Sequence, residues 1–428
     1  MVLAVAGVAA PSPPPTPEET LKRQLRVGAL LAVVGPGLLA GLSDDDPAGI
    51  TTYSVLGANY GYRLLWVLLL STVALVIFHG LAARMGVVTG QGLIGLVRQR
   101  YGVRLGGAVL AALVVANLGT ICAEFAGIAA GFELFGITRY LSVPVAAVIV
   151  SLLVLRGGFH RVEHLLLLLS TVFLAYIVSG VLAHPDWGAA VHGTFIPSVA
   201  PGTHSIALVT ATLGTTLAPW GLSFIQSYAV DKRLRTDDLA LERVDVVLGA
   251  VLTGVIGFFV VVACAATLNR DGQTIGDAAD AARALEPLAG DAASHLFALG
   301  LIGSAFLAAS VLPLSTAYSV CEYAGVEAAL DDPFPEARTF YLSFGIVTML
   351  GALAVLIPNV PLVTILVATQ VLNAVLLVPL LFAMVGLCRD PVLMGRFRIG
   401  RVGTVAYGVI TAAVVVCVAA LAVTSLAG

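Results

Sequence analysis

Three carboxylates, a proline and a glycine stand together at Ser43-Asp44-Asp45-Asp46-Pro47-Ala48-Gly49, inside an apolar run from Val27 to Tyr53. In an apolar setting these groups have a specific use, because a carboxylate beside open backbone carbonyls is a site for a hard cation. On insertion scales an Asp at the centre of a spanning helix costs roughly 2.5–3.5 kcal/mol. Pro47 has no N–H and clashes with the preceding turn, and Gly49 adds backbone freedom. One reading is a helix broken here, with freed N–H and C=O groups beside Asp46. Such backbone is tolerated at membrane depth only around a buried cavity. The other reading is a helix that simply ends at the water interface. Successive helical residues turn about 100° apart, so three adjacent Asp side chains cannot converge on one ion. Asp46, next to the break, is the expected ligand. Asp44 and Asp45 are expected to be solvated or to cap a helix end.

The elements that must hold these residues are membrane spans. The chain has 428 residues, 59% hydrophobic and 11% charged, with a mean hydropathy of +1.01. No soluble globular class has this composition. Eleven apolar runs reach spanning length: 27–58 (broken), 64–86, 106–135, 140–156, 163–184, 205–229 (broken), 244–268, 292–321, 338–358, 362–388 and 403–426. The net charge of −3 comes with no basic patch suited to nucleic acid. Cys122, Cys264, Cys321, Cys388 and Cys417 fall in or beside the spans without metal-ligand spacing, and are expected to be packing residues.

Lysine and arginine placement sets the expected orientation. With the N-terminus inside, all 22 basic residues except Arg63, Arg139, Arg270 and Arg283 fall on the inner side. Eleven spans with a cytoplasmic N-terminus and an external C-terminus satisfy this asymmetry. Residues 1–20 read as a Pro-rich disordered tail. Val2 to Ala10 resembles a signal h-region without a preceding Lys or Arg, and is taken as uncleaved. Of the two longest external segments, 185–204 and 269–291, the second is expected to carry a surface helix across Ile275 to Leu288.

A second interruption lies in Gly214-Thr215-Thr216-Leu217-Ala218-Pro219-Trp220-Gly221. Asp46-Pro47-Ala48-Gly49 in span 1 and Ala218-Pro219-Trp220-Gly221 in span 6 share an x-Pro-x-Gly pattern, one five-span unit apart. Interrupted helices at corresponding positions point to an inverted-repeat transporter with a midplane site. The units would be 21–184 (spans 1–5) and 205–388 (spans 6–10), joined by loop 185–204 and followed by a loop and span 11 over 389–428. Other intramembrane polar residues are Gln370 and Asn373 in span 10, Thr215, Thr216, Ser223 and Gln226 in span 6, and Glu124 in span 3. For the Ser and Thr residues an interhelical hydrogen bond is the plainer expectation. Gln370 offers an amide carbonyl that suits a hard cation. Glu124 is a functional candidate unless it pairs with an arginine near a span end. His79 is expected to be structural, and Glu133 and Glu322 to sit at interfaces.

These residues resemble the Nramp family of divalent-metal transporters over nearly the whole chain. Gly35-Pro36-Gly37 followed by Asp46-Pro47-Ala48-Gly49 resembles the family's first-span Asp-Pro-Gly-Asn motif. Ala83-Arg84-Met85-Gly86-Val87-Val88-Thr89-Gly90 is similar to the end of its second span. Ala218-Pro219-Trp220 falls at its Met-Pro-His, and Gln370-Val371-Leu372-Asn373 and Leu393-Met394-Gly395 resemble its tenth span and the following loop. The resemblance implies an all-α, eleven-span LeuT-type fold with an inverted five-plus-five repeat. It also implies a metal site at Asp46, the carbonyls near Ala48, Gly49 and Ala218, and Gln370. Thr215, Trp220, Gly221, Asn373 and Glu124 would line the cavity or pathway. The departures run one way: the family Asn is Gly49, its Met is Ala218, its His is Trp220, and Ile121 stands at an Asp three residues before Glu124. A thioether favours transition metals over Mg²⁺ and Ca²⁺, and Mg²⁺ keeps several waters. The chain therefore looks like the Nramp-related magnesium transporters.

The expected function is a secondary transporter importing Mg²⁺, with Mn²⁺ tolerated, by alternating access without proton coupling across a prokaryotic plasma membrane. The metal is substrate and no cofactor is expected. The partners are the ion and the bilayer, and the sequence sets no oligomeric state, a monomer being compatible with it. The alternatives are a proton-coupled Mn²⁺/Fe²⁺ importer using Glu124, a LeuT-fold amino-acid symporter, and a membrane enzyme holding Mg²⁺ and a diphosphate on Asp44 to Asp46. The last lacks a second intramembrane acidic cluster and any Gly-rich phosphate cradle.

Overall fold

A computed structural model describes residues 36–155, 174–198, 202–276, 278–326, 332–358 and 361–427. The expected N-terminal tail lies outside the described residues, as do 163–173 of the expected fifth span.

Every described element is helical or a turn. The first apolar run forms two helices, α1 (Pro36–Asp44) and α2 (Pro47–Tyr60). They are followed by α3 (Leu65–Thr89), α4 (Leu93–Tyr101), α5 (Val103–Glu133), α6 (Arg139–Leu155), α7 (Ala175–Leu182) and α8 (Trp187–Phe195). The second interrupted run forms α9 (Thr203–Thr216) and α10 (Pro219–Asp231). Then come α11 (Leu239–Cys264), α12 (Ala293–Ala324), α13 (Arg338–Val355), α14 (Leu362–Arg389) and α15 (Arg401–Ala427). The expected external surface helix appears as short helical turns, Ala278–Ala282, Arg283–Leu285 and Glu286–Ala289, pinned where the Ser179 hydroxyl donates to the Ala284 carbonyl (2.6 Å). Eight helical stretches are long and apolar enough to cross a membrane, and Arg139–Leu155 is a shorter apolar helix. The membrane-spanning architecture expected from composition is therefore present, while the figure of eleven stays an expectation.

The interior is set by the broken helices. Proline at the first position of both α2 and α10 carries no N–H, so it starts a helix at no loss but cannot continue one. The α1 half-helix is docked on α11 at both ends: the Gly37 N–H donates to the Asp245 carboxylate (2.7 Å), and the Thr253 hydroxyl donates to the Gly41 carbonyl (2.5 Å). Asp245 thus satisfies one of the orphan donors that every helix start leaves open. Helix α10 is tied to α12 by hydroxyls, Ser223 to Ser319 (2.7 Å) and Ser315 to the Trp220 carbonyl (2.9 Å). The five cysteines are free, and Cys264, Cys321 and Cys388 are buried, as packing residues would be.

Candidate functional site

Asp46 sits between α1 and α2 as the cap of α2, and its carboxylate accepts the Gly49 N–H (2.5 Å). A carboxylate at a helix N-terminus faces open donors and the positive end of the helix dipole. Asp44, Asp45 and Asp46 are only 2%, 1% and 3% exposed. This sets aside the water-interface reading and overturns the expectation that Asp44 and Asp45 are solvated. The capping role falls to Asp46 itself. Both oxygens of Asp45 and one of Asp44 have no hydrogen-bond partner.

Ala48 and Gly49 lie inside the first turn of α2, so their carbonyls are committed to that helix. The carbonyl that Pro47 leaves without a helical donor is that of Ser43, four residues back. The second break repeats this: Pro219 leaves the Thr215 carbonyl open, while the Ala218 carbonyl accepts the Gly221 N–H (3.2 Å). The open carbonyls are thus displaced by a few residues from the positions expected at Ala48, Gly49 and Ala218.

The two breaks meet. A Cβ built on Gly49 would lie 2.7 Å from the Asp44 carbonyl oxygen and 3.2 Å from both Asp46 Oδ1 and Thr215 Oγ1. No side chain fits there without a shift of the Asp44 backbone. One turn further along α2, the Tyr53 hydroxyl bonds Thr216 Oγ1 (2.9 Å), joining α2 to α9 beside the breaks.

Glu124 comes in from α5. It is fully buried, its carboxyl lies beside that of Asp46, and neither of its oxygens finds a partner of standard geometry. Among the described residues no arginine pairs with it, which disfavours the ion-pair reading. The approach depends on Gly127, one turn along, where a Cβ would overlap the Pro47 ring. Helix α14 closes another side. Its Gln370 backbone carbonyl lies where a Cβ on Gly214 of α9 would be. Asn373 Nδ2 donates to Gln370 Oε1 (2.8 Å) and to the Thr120 hydroxyl of α5 (2.9 Å). Gln370 Oε1 therefore has one lone pair taken, and its Nε2 is unpartnered.

Ala218 and Trp220 are buried, the Trp220 ring packing near Phe224 (6.3 Å between centroids). Gly221 faces α3, where a Cβ would lie 3.0 Å from His79 Nε2. His79 is buried with Nδ1 unpartnered. Sequence reasoning set it aside as a lone histidine, and no local pattern ties it to the second break. Glu133 is ion-paired with Arg139 (2.7 Å), and Glu322 accepts the Ile94 N–H (3.1 Å), both structural roles near helix ends.

Chemically, four buried carboxyls, Asp44, Asp45, Asp46 and Glu124, surround the junction of two helix breaks. None takes part in an ion pair among the described residues. A buried carboxylate without a partner is unfavourable by several kcal/mol, so the cluster calls for cations or protons. Among the described residues no three His, Cys, Asp or Glu side chains are arranged to hold a metal by themselves. A metal here would need carbonyl, amide or water oxygens to complete its shell.

Two broken helices facing one another around buried acids, in an all-helical membrane bundle, define a transporter of the LeuT-type fold. A family model described as natural resistance-associated macrophage protein-like, Nramp, matches residues 37–424, and the chain belongs to that family. A divalent metal cation transporter MntH of Granulibacter bethesdensis is 27% identical over 413 residues, covering 91% of this chain and 90% of that one. The MntH of Ralstonia nicotianae is 33% identical over 297 residues, covering 64% and 65%. A crystal structure of an Eremococcus coleocola manganese transporter superposes with a TM-score of 0.75 at 19% identity, covering 95% of this chain and 89% of that one. MhsT in complex with L-phenylalanine superposes at 0.61 and 15% identity, covering 91% and 98%, a likeness of fold alone.

Proposed function

We propose that this chain imports divalent metal cations, Mn²⁺ among them, by alternating access, with Asp46 holding the ion and Glu124 accepting a proton as the ion moves. One observation carries the reading: the Glu124 carboxyl lies beside that of Asp46 at the junction of the two breaks, with no basic partner among the described residues. A divalent ion arriving there displaces protons from the cluster, and the nearest acceptor is already in place. The relatives named as divalent metal cation and manganese transporters support the same substrate class. The protein is not an enzyme, and the metal is its cargo rather than a cofactor. The chain would comprise two five-span units, 21–184 and 205–388, with one helical bundle rocking against the other around the buried junction, the N-terminus in the cytoplasm of a prokaryotic cell and the C-terminus outside.

A second reading, Mg²⁺ import without proton coupling, is favoured by the donor chemistry. Every candidate donor is oxygen, and Ala218 stands where a thioether would select softer metals. Oxygen donors suit Mg²⁺ and Mn²⁺ alike. An inside-negative potential contributes about 2.3 kcal/mol per charge per 100 mV, so an uncoupled divalent ion has a driving force. An amino-acid substrate is disfavoured, because its carboxylate would meet four buried acids.

Flux into proteoliposomes with an internal pH dye separates the readings. Mn²⁺ entry accompanied by acidification is the expected result. Mg²⁺ entry at unchanged internal pH would replace the first reading by the second. Ala218→Met supplies a soft ligand at the second break and is expected to shift the Mn²⁺ to Mg²⁺ uptake ratio about tenfold toward Mn²⁺. An unchanged ratio would remove Ala218 from the site.

A further inference from the structure

Away from the junction, a crevice of about 710 Å³ opens between α3, the start of α11 and the segment leading into α15. Four arginines line it: Arg84 on α3, Arg243 on α11, and Arg396 and Arg398 before α15. Asp237 and Glu242 are the acids on its wall. Arg84 is half-buried yet makes no ion pair and donates no hydrogen bond among the described residues. Arg243 lines the same crevice from α11, exposed where Arg84 is half-buried. A guanidinium carries five donors in a fixed fork suited to phosphate. Two of them lining one crevice, with Arg84 not ion-paired among the described residues, suit an anion.

The rest of the wall identifies the anion. Along α3 the lining runs Val76, Gly80, Arg84, one residue per turn, from apolar to cationic. Along α11 it runs from Arg243 to Val246 and Val247 in the same sense. At the apolar end Val247 is exposed, and a Cβ on Gly80 would touch nothing within 4 Å. Arg84 lies five residues before the end of α3 at Thr89, about 7–8 Å at 1.5 Å per residue, which is headgroup depth. A cationic mouth continuous with an open apolar groove has the polarity of a phospholipid, and a free phosphate would have no use for the apolar half. The arginine-rich face is also where an inner leaflet carries its anionic lipids.

We propose that this crevice is a binding site for an anionic glycerophospholipid, its phosphate on Arg84 and Arg243 and an acyl chain along Gly80 and Val247. The site is separate from the ion junction and stands whether or not the transport reading holds. The test uses the full-length protein in detergent, with thermal unfolding and native mass spectrometry as readouts. Phosphatidylglycerol is expected to raise the melting temperature and remain bound, while phosphatidylcholine and soluble glycerol 3-phosphate do neither. Arg84→Gln and Arg243→Gln are each expected to lower phosphatidylglycerol affinity about fivefold, and Gly80→Leu to block the groove without removing charge. If Arg84→Gln fails to fold, the exposed Arg243 and the open Gly80 position carry the test. Equal stabilisation by phosphatidylcholine would overturn the headgroup assignment. Full stabilisation by glycerol 3-phosphate would make the crevice a site for soluble anions instead. Undiminished phosphatidylglycerol binding in Arg243→Gln and Gly80→Leu would remove the site altogether.

Discussion

Asp46→Asn is expected to abolish metal uptake while leaving the protein at least as stable as the parent in metal-free buffer. The substitution keeps the oxygen that accepts the Gly49 N–H, so the start of α2 survives. It removes one negative charge from a junction that buries four carboxyls without a basic partner, which relieves repulsion. Asp46→Ala loses both charge and cap, and should unfold about 1 kcal/mol more readily than Asp46→Asn. The parent should gain about 2.7 kcal/mol when Mn²⁺ reaches 100 times its Kd, and both variants should lose that gain. Retained uptake in Asp46→Asn, or a preserved Mn²⁺-dependent rise in melting temperature, would place the ion elsewhere. Measuring melting with and without metal separates a lost ligand from a lost fold.

Gly127→Ala is expected to damage the site from a helix that need not touch the ion at all. The added methyl would occupy the space of the Pro47 ring, and neither partner is a flexible side chain that can swing aside. Either α5 retreats, carrying Glu124 away from Asp46, or α2 shifts at its first residue. Overpacking of this kind is unfavourable by typically 1–3 kcal/mol. Uptake should fall at least about fivefold if that cost falls on the transport-competent arrangement, since about 1 kcal/mol is a factor of about five. Gly408→Ala on α15 is the control: nothing lies within 4 Å of its Cβ, and alanine favours a helix over glycine by about 1 kcal/mol. It should leave uptake unchanged and raise stability slightly. Equal behaviour of the two variants in uptake and melting would show that the close approach of α5 to the first break is not needed.

The two x-Pro-x-Gly interruptions were legible from residue type alone, because a proline without an N–H and three acids have few places in a spanning helix. Their consequence, helices beginning at Pro47 and Pro219, follows from backbone chemistry. The burial of Asp44 and Asp45 was not legible. Turning about 100° per residue correctly separates three adjacent side chains, but it does not say what each direction contains. Here the surroundings are other helices, and the water-interface reading assumed solvent. The donors also moved: a broken helix frees the carbonyl four residues before its proline, so the carbonyls of Ser43 and Thr215, rather than those of Ala48 and Ala218, are left without a helical donor. The neighbourhoods of His79, expected only to be structural, and of Gly127 were not legible for a related reason. Their significance lies in what the facing helix presents, Gly221 in one case and Pro47 in the other, and one-dimensional spacing holds no such information.

The attachment of α1 to α11 has a kinetic side. Gly37 is held by a charged acceptor on Asp245, and Gly41 by the Thr253 hydroxyl. If the half-helix swings by itself, the charged bond alone adds about 1.5–3 kcal/mol to the barrier. If it swings with α11 attached, that threshold vanishes but a much longer rod must turn. Where the half-helix swings alone, the Asp245 bond acts on the turnover rate rather than on the affinity for the ion.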